Sequence, residues 1–538
     1  MFRDQRERVL IFTLGNFLDR QAFRFAAHEA VVSERGSLSY AELAREADRV
    51  AAALIAAGVT KGVRVGLLMP NWPQWLPIAF GIVKTGAWLI GLSTLSRAGE
   101  LEYQLRHTDV GVLIAVTRFL RNDYLSMLRE FAEPVFRAER SPRCPQLGRV
   151  VLLGDEPAAG AIAWQDFLAK GARVGDAVRK AVQQTVEPVE PAAVFFTSGS
   201  TAMPKAAVLS HRALVHNAFA VGDHLGIESV DRTWTALPLF FSGGFCLCAL
   251  STLAYGGAVV LNEAFEPGAA LERLERERCT VMVGWNHVPL MLEHVDFPRR
   301  HLSLRKGVGG NLPVADRFLA AGHHAVGNYG MTETATFCCS ARHDDPPAIR
   351  RTYGRPLPGV ELRIVDAESG ADRPTGEEGE IIVRSPAQMS HYYGVAPADC
   401  FDERGFFHTG DLGTLDADGC LHFTQRLKDV IKTMGVNVAA PEVERALEAH
   451  PAVQHAYVVG VPHPVRGENV AAFVVPRRNG LTAEELTEFL QGRIASYKVP
   501  RHVFLCAEAD VPRSASNKVE KGTLRARAVA ALGEGGRE

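Results

Sequence analysis

The sequence predicts an α/β protein with a large N-terminal domain of stacked α/β sheets, a β-rich subdomain within it, and a small α+β C-terminal lid domain. Apolar runs typical of buried strands alternate with segments of helical periodicity, which favours parallel sheets covered by helices. Glycine-rich turns follow several of these strands. The chain has 538 residues, more than one hydrophobic core usually serves, so we expect at least two domains.

The first half of the chain shows this alternation most clearly. Ser39 and Glu42 have the spacing of a capping box, and apolar residues follow at helical spacing as far as Gly58. Strand, helix and strand in succession imply parallel pairing, with ligands at the carboxyl ends of the strands. The further predicted elements are strands at 64–69, 87–92, 192–196, 258–261, 281–283 and 306–309, and helices at 75–84 and 210–225.

Two changes of pattern divide the rest of the chain. From about residue 353, short strands alternate with Gly/Asp turns, which indicates a β-rich subdomain at about 353–425. A mixed α+β pattern follows, so we expect one domain at 1–425 and a second, mobile domain at 426–538. In this second domain the predicted elements are helices at 440–450 and 482–494 and strands at 456–461 and 470–475.

Composition and charge exclude several classes of protein. A net charge of −2 does not indicate binding to nucleic acid or to an anionic membrane, because such partners attract strongly basic surfaces. Pro70, Asn71, Pro73 and Lys84 are among the residues that interrupt the most apolar region, 65–95, so we expect no membrane span, and the amino terminus does not resemble a signal peptide. Nine cysteines without CxxC or zinc spacing are typical of buried reduced thiols, which favours a cytoplasmic location.

Residues 196–211, FTSGSTAMPKAAVLSH, carry the strongest functional signal. Backbone N–H groups, hydroxyls and an ammonium can converge there on an anion, which predicts a phosphate-handling loop. The loop is not a Walker A motif, because Lys205 lies between proline and alanine. An ordinary polar turn between two strands is the alternative. The residues concerned are Thr197, Ser198, Gly199, Ser200, Thr201 and Lys205.

A second glycine-flanked turn, GNYGMTET, occupies residues 327–334. The carboxylate of Glu333 beside the hydroxyl of Thr332 suits Mg²⁺ that bridges phosphate oxygens. The alternative is that both residues only cap a helix. Upstream, Gly309 and Gly310 offer bare backbone to which a flat ring could come close.

Three later segments add polar groups. Asp411, in the turn HTGD at the end of a predicted strand, could accept hydrogen bonds from ribose hydroxyls or from its own backbone. The segment RLKDVIK, from Arg426 to Lys432, lies at the predicted domain boundary. Lys518 lies near the tip of a polar loop at 511–521, which alone would be a solvated basic loop.

Taken together and in this order, these segments resemble the adenylate-forming superfamily, which contains acyl-CoA synthetases, peptide-synthetase adenylation domains and luciferases. The resemblance extends from Leu38 to Arg525. It implies an acyl-CoA ligase that uses ATP, CoA and Mg²⁺ in an active site between its two domains. The matching motifs are the loop at 197–205, YGMTE at 329–333, TGD at 409–411, RLKD at 426–429 and Lys518.

The resemblance also implies roles for single residues. Lys518 would approach the substrate carboxylate and the α-phosphate, Thr332 would contact the α-phosphate, and Glu333 would ligate Mg²⁺. Lys428 would be the hinge, and Gly435 would face the site only when the lid has turned for thioester formation. The nucleotide would be bound by Thr197, Ser198, Gly199, Ser200, Thr201, Lys205, Gly309, Gly310, Asn328, Tyr329, Asp411, Arg426 and Lys432.

The family lines its acyl pocket with the segment that here follows Pro238. Amino-acid-activating relatives have an aspartate at about this place, whereas the side chains here are aromatic or small, so a hydrophobic carboxylic acid is favoured. The paired glycines could make room for a bulky acyl group or could simply begin a helix. The predicted pocket residues are Phe240, Phe241, Gly243, Gly244, Gly330 and Met331.

Several positions depart from the family pattern. Ala202 and Ala206 stand where most relatives have glycine, and Gln425 and Asn517 also replace glycines. A methyl group can block the approach of backbone and penalises a positive φ by about 1–2 kcal/mol. The residues expected to hold AMP are intact. This contrast motivates an alternative in which the enzyme does not adenylate but transfers the acyl group of a preformed acyl-AMP to CoA.

The motifs leave the acceptor of the acyl group and the class of protein open. The acyl group could pass to a carrier-protein phosphopantetheine instead of CoA, and the chain could form a homodimer. A luciferase-like oxygenase would rest on fold analogy alone. A nucleotide-binding pseudoenzyme is the non-catalytic hypothesis, and the retention of Lys518, Glu333 and Asp411 argues against it.

Overall fold

A computed structural model describes most of the chain. Side chains are not described at 288, 289, 430, 432, 436, 437, 439, 467, 533 and 534. The described residues are 12–154, 158–197, 204–284, 287–308, 316, 317, 319, 323, 325–427, 430–433, 436–463, 467–478, 480–491, 493, 494, 498–514 and 518–534.

Twenty-eight strands are present among the described residues. In chain order they are β1 (Glu29–Ser33), β2 (Gly36–Ser39), β3 (Arg64–Leu68), β4 (Trp88–Gly91), β5 (Val112–Val116), β6 (Arg118–Phe119), β7 (Asn122–Asp123), β8 (Arg149–Leu153), β9 (Ile162–Ala163), β10 (Pro191–Thr197), β11 (Lys205–Ser210), β12 (Arg232–Thr235), β13 (Ala258–Leu261), β14 (Val281–Val283), β15 (Lys306–Val308), β16 (Asn328–Gly330), β17 (Phe337–Ser340), β18 (Arg355–Pro356), β19 (Glu361–Val365), β20 (Gly379–Arg384), β21 (His391–Tyr392), β22 (Phe407–Leu415), β23 (Leu421–Arg426), β24 (Val430–Thr433), β25 (Val436–Ala439), β26 (Val453–His463), β27 (Gly467–Pro476) and β28 (His502–Leu505).

The α-helices of the described residues are α1 (Leu14–Arg24), α2 (Tyr40–Ala56), α3 (Trp75–Lys84), α4 (Ala98–His107), α5 (Tyr124–Ala132), α6 (Trp164–Lys170), α7 (Asp176–Gln184), α8 (His211–His224), α9 (Ser251–Ala254), α10 (Pro267–Arg276), α11 (Val288–Leu292), α12 (Pro347–Arg350), α13 (Ala440–Glu448), α14 (Ala483–Leu490) and α15 (Lys521–Glu534). None of them has the length and apolar character needed to cross a membrane.

Two mostly parallel sheets build the N-terminal domain. The larger has eight strands in the order β21-β11-β10-β4-β3-β5-β8-β9, and the smaller has six in the order β15-β14-β12-β13-β1-β2. Pairing is parallel through the middle of each, for example between Val65 and Leu89 and between Val31 and Val259. Buried residues of both sheets belong to one hydrophobic cluster. The predicted stacking of α/β sheets in a large N-terminal domain is therefore confirmed.

Helix ends follow local sequence signals. The Ser39 hydroxyl accepts a hydrogen bond from the Glu42 backbone, and the Glu42 carboxylate accepts one from the Ser39 backbone, so the predicted capping box forms at α2. The prediction for 482–494 was too long, because α14 ends at Leu490. Gln491 has a ψ of 128°, which is not helical, and a glycine, a frequent helix terminator, follows it.

The β-rich part is not wholly separate from the large sheet. Strands β19, β20, β22 and β23 form an antiparallel sheet within the predicted subdomain. Strand β21, which also lies within the predicted subdomain, does not join this sheet. It pairs instead with β11, and Tyr392 lies opposite Ala207. This pairing brings residues from the subdomain beside the predicted phosphate loop.

The C-terminal domain has its own core. Strands β25, β24, β27 and β26 form a sheet, and β28 lies beside β27. Apolar side chains of this domain, such as Ile431, Val443 and Leu447, pack with one another rather than with the large sheets. A small α+β domain is confirmed, and a boundary at residue 426 stays a prediction.

A buried carboxylate ties three parallel strands together at their amino-terminal ends. Asp231 precedes β12 and its side chain is fully buried. It accepts hydrogen bonds from Lys306 at 2.7 Å, from the Thr280 hydroxyl at 2.7 Å, and from the backbone of Glu228 at 2.8 Å. Arg305 lies 3.2 Å away. The loss of this carboxylate would leave the nearly buried Lys306 ammonium without its principal counter-charge.

We expect Asp231→Ala to destabilise the N-terminal domain by about 3–5 kcal/mol, because removal of one partner leaves a buried charge uncompensated. Chemical denaturation followed by tryptophan fluorescence measures the change. Glu361→Ala, which breaks an exposed pair with Arg384, is the control and should cost less than about 1 kcal/mol. Equal effects of the two substitutions would contradict the structural role given to Asp231.

Candidate active site

The site is built around a tight turn that joins β16 to β17. A short 3₁₀ helix, Thr332–Thr334, carries the two predicted catalytic residues of this region. Ala335 has a φ of 62° and a ψ of −52°, and the Thr336 N–H donates to the Thr334 carbonyl at 2.7 Å, so the chain makes a strained γ-turn here. A Cβ on Gly330 would lie 1.9 Å from the Thr336 carbonyl oxygen, so this turn requires glycine.

A side chain of helix α8 holds the turn through hydrogen bonds. The Asn217 amide donates to the Phe337 carbonyl at 3.0 Å, and the Asn217 amide oxygen accepts a hydrogen bond from the Thr336 hydroxyl. Asn217 is only 1% exposed. Sequence analysis missed this residue, because a lone asparagine inside a helical pattern carries no signal of its distant partner.

Three predicted nucleotide-binding residues meet on the other side of the turn. The Tyr329 hydroxyl donates to Asp411 at 2.8 Å, and the Arg426 guanidinium lies 3.4 Å from the same carboxylate. Asp411 and Arg426 are opposite each other in the register of β22 and β23. Burial and the Asp411 charge hold the pKa of Tyr329 well above its ordinary value, so the phenol remains a donor. Asn328 lies beside Tyr329 in β16 and is half-buried.

The metal-ligand candidate contacts a residue that sequence analysis missed. The Tyr392 hydroxyl donates to the Glu333 carboxylate at 2.6 Å. The Lys205 ammonium lies over the ring of the same tyrosine, 4.8 Å from its centroid. Desolvation and the Glu333 charge raise the pKa of Tyr392 far above its ordinary value. No local motif marks Tyr392, because its neighbours are set by the pairing of β21 with β11.

The base of the phosphate loop is fixed by contacts with neighbouring elements. Thr197 ends β10 and pairs with Lys205 at the start of β11. The Tyr103 hydroxyl of α4 donates to the Pro204 carbonyl at 3.1 Å, and the Tyr393 backbone N–H donates to the Ala206 carbonyl at 2.8 Å. These contacts define the point where the loop re-enters the sheet.

The positive φ that would make a methyl group costly at Ala206 is not present. Ala206 lies in β11 opposite Phe196, is fully buried, and has no positive φ. A methyl group is accommodated in a strand of this kind, so no strain arises. Backbone strain at Ala206 therefore gives the non-adenylating alternative no support, and Ala202 lies outside the described residues. Gln425 is buried in β23, and Asn517 also lies outside the described residues.

The segment predicted to line the acyl pocket lies against the Thr332 turn. The Ser242 and Thr332 hydroxyls are 3.1 Å apart. Phe240 is buried, whereas Phe241 and Gly243 are partly exposed. A π-helix, Gly243–Leu250, begins here.

The paired glycines that begin this helix also have a structural role. A Cβ on Gly244 would lie 2.2 Å from the Pro238 carbonyl oxygen. The close packing at the start of the helix is therefore enough to explain the glycine at position 244. Met331 is half-buried and packs against the main core.

Lys518 comes to this site from the C-terminal domain. The Ser514 backbone N–H donates to the Lys518 carbonyl, and the Lys518 backbone N–H donates to the Ser514 hydroxyl. Solvent reaches the side chain, yet surrounding protein atoms desolvate the ammonium and lower its pKa. The positive charge of Arg426 also lowers this pKa, and the charges of Glu333 and Asp411 oppose the shift. The structure thus brings Lys518 within electrostatic range of residues from the Thr332–Thr334 helix, from β22 and from the end of β23.

Some predicted site residues cannot be compared with the structure. The side chain of Lys432 is not described, although its backbone lies in β24. The residues outside the described ranges are Ser198, Gly199, Ser200, Thr201, Gly309, Gly310, Lys428 and Gly435.

The donor set fits Mg²⁺ that arrives with a nucleotide. No group of three or more His, Cys, Asp or Glu side chains among the described residues could enclose a metal. Mg²⁺ is commonly bound by one or two carboxylates together with phosphate oxygens and water. Glu333, with the Thr332 hydroxyl beside it, provides a single carboxylate of this kind.

Comparison with known proteins agrees with this geometry. Residues 18–393 match the AMP-binding enzyme family, and residues 442–518 match the AMP-binding enzyme C-terminal domain. The chain belongs to the AMP-binding enzyme family. The predicted resemblance to adenylate-forming enzymes is confirmed.

Relatives of this AMP-binding enzyme are similar over almost their whole length. A feruloyl-CoA synthase from Amycolatopsis sp is 34% identical over 528 residues, covering 96% of this chain and 99% of the relative. Acyl-CoA ligase SID4 from Ajellomyces capsulatus is 31% identical over 542 residues, covering 95% and 90%. The crystal structure of the anthranilate CoA ligase AuaEII with anthranoyl-AMP superposes with a TM-score of 0.84 at 26% identity, covering 97% of this chain and 98% of the other. The protein is therefore an enzyme of the AMP-forming acid–thiol ligase type, a family that uses ATP and CoA.

We expect Gly330→Ala to reduce the rate of ATP-dependent thioester formation about 100-fold, because a displacement of the turn by an ångström misplaces Thr332 and Glu333. The assay measures kcat/KM with an accepted acid. Gly99→Ala is the control, since a Cβ there would meet no atom within 4 Å. Wild-type activity of Gly330→Ala would show that the site does not depend on this turn.

Proposed function

We propose that the enzyme converts a hydrophobic carboxylic acid into its CoA thioester through an acyl-AMP intermediate. The observation that carries this proposal is the position of Lys518. A cation from the C-terminal domain lies in the electrostatic field of Glu333 and Asp411 of the N-terminal domain and of Arg426 at the predicted domain boundary. Such an arrangement is suited to a reaction between two anions.

The nucleoside part of ATP would bind beside Tyr329. Asp411 would accept hydrogen bonds from the ribose hydroxyls, and Arg426 and Tyr329 would hold its carboxylate in place. Asn328, Gly309 and Gly310 would border the adenine, and Lys432 would be a further nucleotide contact. Asp411 is only 6% exposed, so few water molecules compete for it.

The phosphates would lie between the loop at 197–205 and the Thr332 turn. Lys205 and the loop hydroxyls would bind the β- and γ-phosphates, and the Thr332 hydroxyl would donate to the α-phosphate. Glu333 would hold Mg²⁺, which when bound supplies positive charge to the phosphate oxygens. The Ser242 hydroxyl, 3.1 Å from that of Thr332, would orient it.

In the first step the substrate carboxylate attacks the α-phosphorus, and pyrophosphate leaves. Lys518 would stabilise the negative charge that accumulates on the reacting oxygens. In the second step the CoA thiol attacks the acyl carbonyl, the thiol proton is lost, and AMP leaves. Because Lys518 occupies the approach, we propose that the small domain turns about Lys428 between the steps and brings the Gly435 segment to the site.

The acid is proposed to be hydrophobic because Ser242 and the residues predicted to line the acyl pocket carry no charge. These pocket residues are Phe240, Phe241, Gly243, Gly244, Gly330 and Met331. A charged substrate tail would find no counter-charge in this segment. The names of two related enzymes, a feruloyl-CoA synthase and an anthranilate CoA ligase, contain aromatic acids, which supports aromatic acids as the first substrates to test.

The decisive experiment incubates the enzyme with acid, ATP and Mg²⁺ but without CoA, and measures pyrophosphate. We expect stoichiometric release, with faster turnover when CoA is added. No release, combined with thioester formation from synthetic acyl-AMP, would instead support the transfer-only alternative. Faster loading of a purified carrier protein than of CoA would favour the carrier-protein alternative.

We expect Lys518→Ala to slow pyrophosphate formation about 10²- to 10³-fold, since one preorganised charge is lost. Lys521→Ala is the matched control, because Lys521 pairs with Glu444 at 2.8 Å inside the small domain. Thioester formation from synthetic acyl-AMP should change little in either variant. Equal slowing of both steps by Lys518→Ala would contradict the proposed role.

The pH dependence tests the same residue. The protonated form of Lys518 is the active one, and its pKa lies below the ordinary value of 10.5. The rate of adenylation should therefore fall as the pH rises through this lowered pKa, and the alkaline limb should begin below pH 10.5. In Lys518→Arg the limb should move to higher pH, because guanidinium stays charged. An unmoved limb would assign it to another group.

A further inference from the structure

Strand β21 and the residues just before it hold Glu333 at two points. The Met389 backbone N–H donates to the Glu333 carbonyl at 2.8 Å. The Tyr392 hydroxyl donates to the Glu333 carboxylate at 2.6 Å. Main chain and side chain of the same residue are thus held by one short segment, which itself pairs with β11 beside the phosphate loop.

The second contact of Tyr392 is with the loop lysine. The Lys205 ammonium lies 4.8 Å from the centre of the Tyr392 ring, a cation–π distance. One aromatic side chain therefore touches both the cation proposed to bind phosphate and the carboxylate proposed to bind Mg²⁺. The neighbouring Phe407 ring packs edge-on against Tyr392 at 6.5 Å between centroids and restrains it further.

A phenol is well suited to this position. Its hydroxyl donates to Glu333 at 2.6 Å, and a neutral phenol adds no charge that would compete with a metal. A carboxylate has two oxygens with several lone pairs, so one hydrogen bond still leaves it able to ligate a cation. Partners of this kind orient metal ligands, and their loss typically costs about 10- to 100-fold in metal affinity or activity.

We propose that Tyr392 is a positioning residue for the metal ligand Glu333, and that it couples this ligand to Lys205 at the base of the phosphate loop. This inference rests on the proposed function of Glu333. Tyr392 does not touch the reacting atoms. It reduces the orientational freedom of the Glu333 carboxylate before the metal–nucleotide complex binds.

The test uses Tyr392→Phe, which removes the hydroxyl but keeps the ring under Lys205. Tyr393→Phe is the matched control. The Tyr393 hydroxyl also donates to a carboxylate, that of Asp109 at 2.8 Å, but it does so away from Glu333. Both variants lose one phenol–carboxylate hydrogen bond from adjacent positions, so a general loss of stability would affect them alike.

Two measurements are made on the full-length enzyme. Electron paramagnetic resonance titrates Mn²⁺ into enzyme with a non-hydrolysable ATP analogue, and steady-state assays determine the Mg²⁺ concentration for half-maximal pyrophosphate release. In Tyr392→Phe we expect both constants to rise about tenfold relative to wild type, with the melting temperature close to that of Tyr393→Phe. Tyr393→Phe should keep wild-type constants.

Unchanged metal constants in Tyr392→Phe, or equal shifts in the two variants, would overturn the inference. Glu333→Gln separates this result from a failure of the proposed function. If Glu333→Gln also binds Mn²⁺ and the analogue as wild type does, Glu333 is not the ligand, and both proposals fall. If only Glu333→Gln weakens metal binding, the proposed function stands and the role of Tyr392 is rejected.

Discussion

The turn from Gly330 to Thr336 is the constraint on which the site depends. It leaves no room for a side chain at Gly330, and it holds Ala335 in a strained conformation. Asn217, Ser242 and Tyr392 contact it from three different elements. Strain at a functional turn persists only when the surroundings over-determine it, and here three partners do so. Thr332 and Glu333 are therefore presented in one arrangement.

Charge is the second organising factor. Lys518 lies within electrostatic range of two carboxylates, Glu333 and Asp411, and Arg426 lies beside Asp411. Each carboxylate accepts a hydrogen bond from a tyrosine. Both phenols have raised pKa values, so neither adds a negative charge. Neutral donors can orient carboxylates without cancelling their attraction for a metal or a ribose, which is why phenols fit these two positions better than lysines would.

Much of the architecture could be predicted from the sequence, because local signals decide local structure. The capping box at Ser39 and the predicted strands report hydrogen bonds and burial that are set within a few residues. The end of α14 was misjudged since apolar spacing continues after Gln491, where the backbone has already left the helix. The positive φ considered for Ala206 is absent for a related reason: strand geometry at that position comes from pairing with Phe196, which the motif does not reveal.

By itself the sequence determined the fold class, the two-domain organisation, the family and the order of its motifs, because periodicity and short motifs are properties of neighbouring residues. Only the tertiary structure decided which groups meet. Tyr392 reaches Glu333 across 59 residues, Tyr329 reaches Asp411 across 82, and Ser242 reaches Thr332 across 90. Such contacts depend on the order of the strands in the sheets and on how the turns between them pack. No periodicity along the chain encodes them, since they arise when separate strands and turns converge on one point.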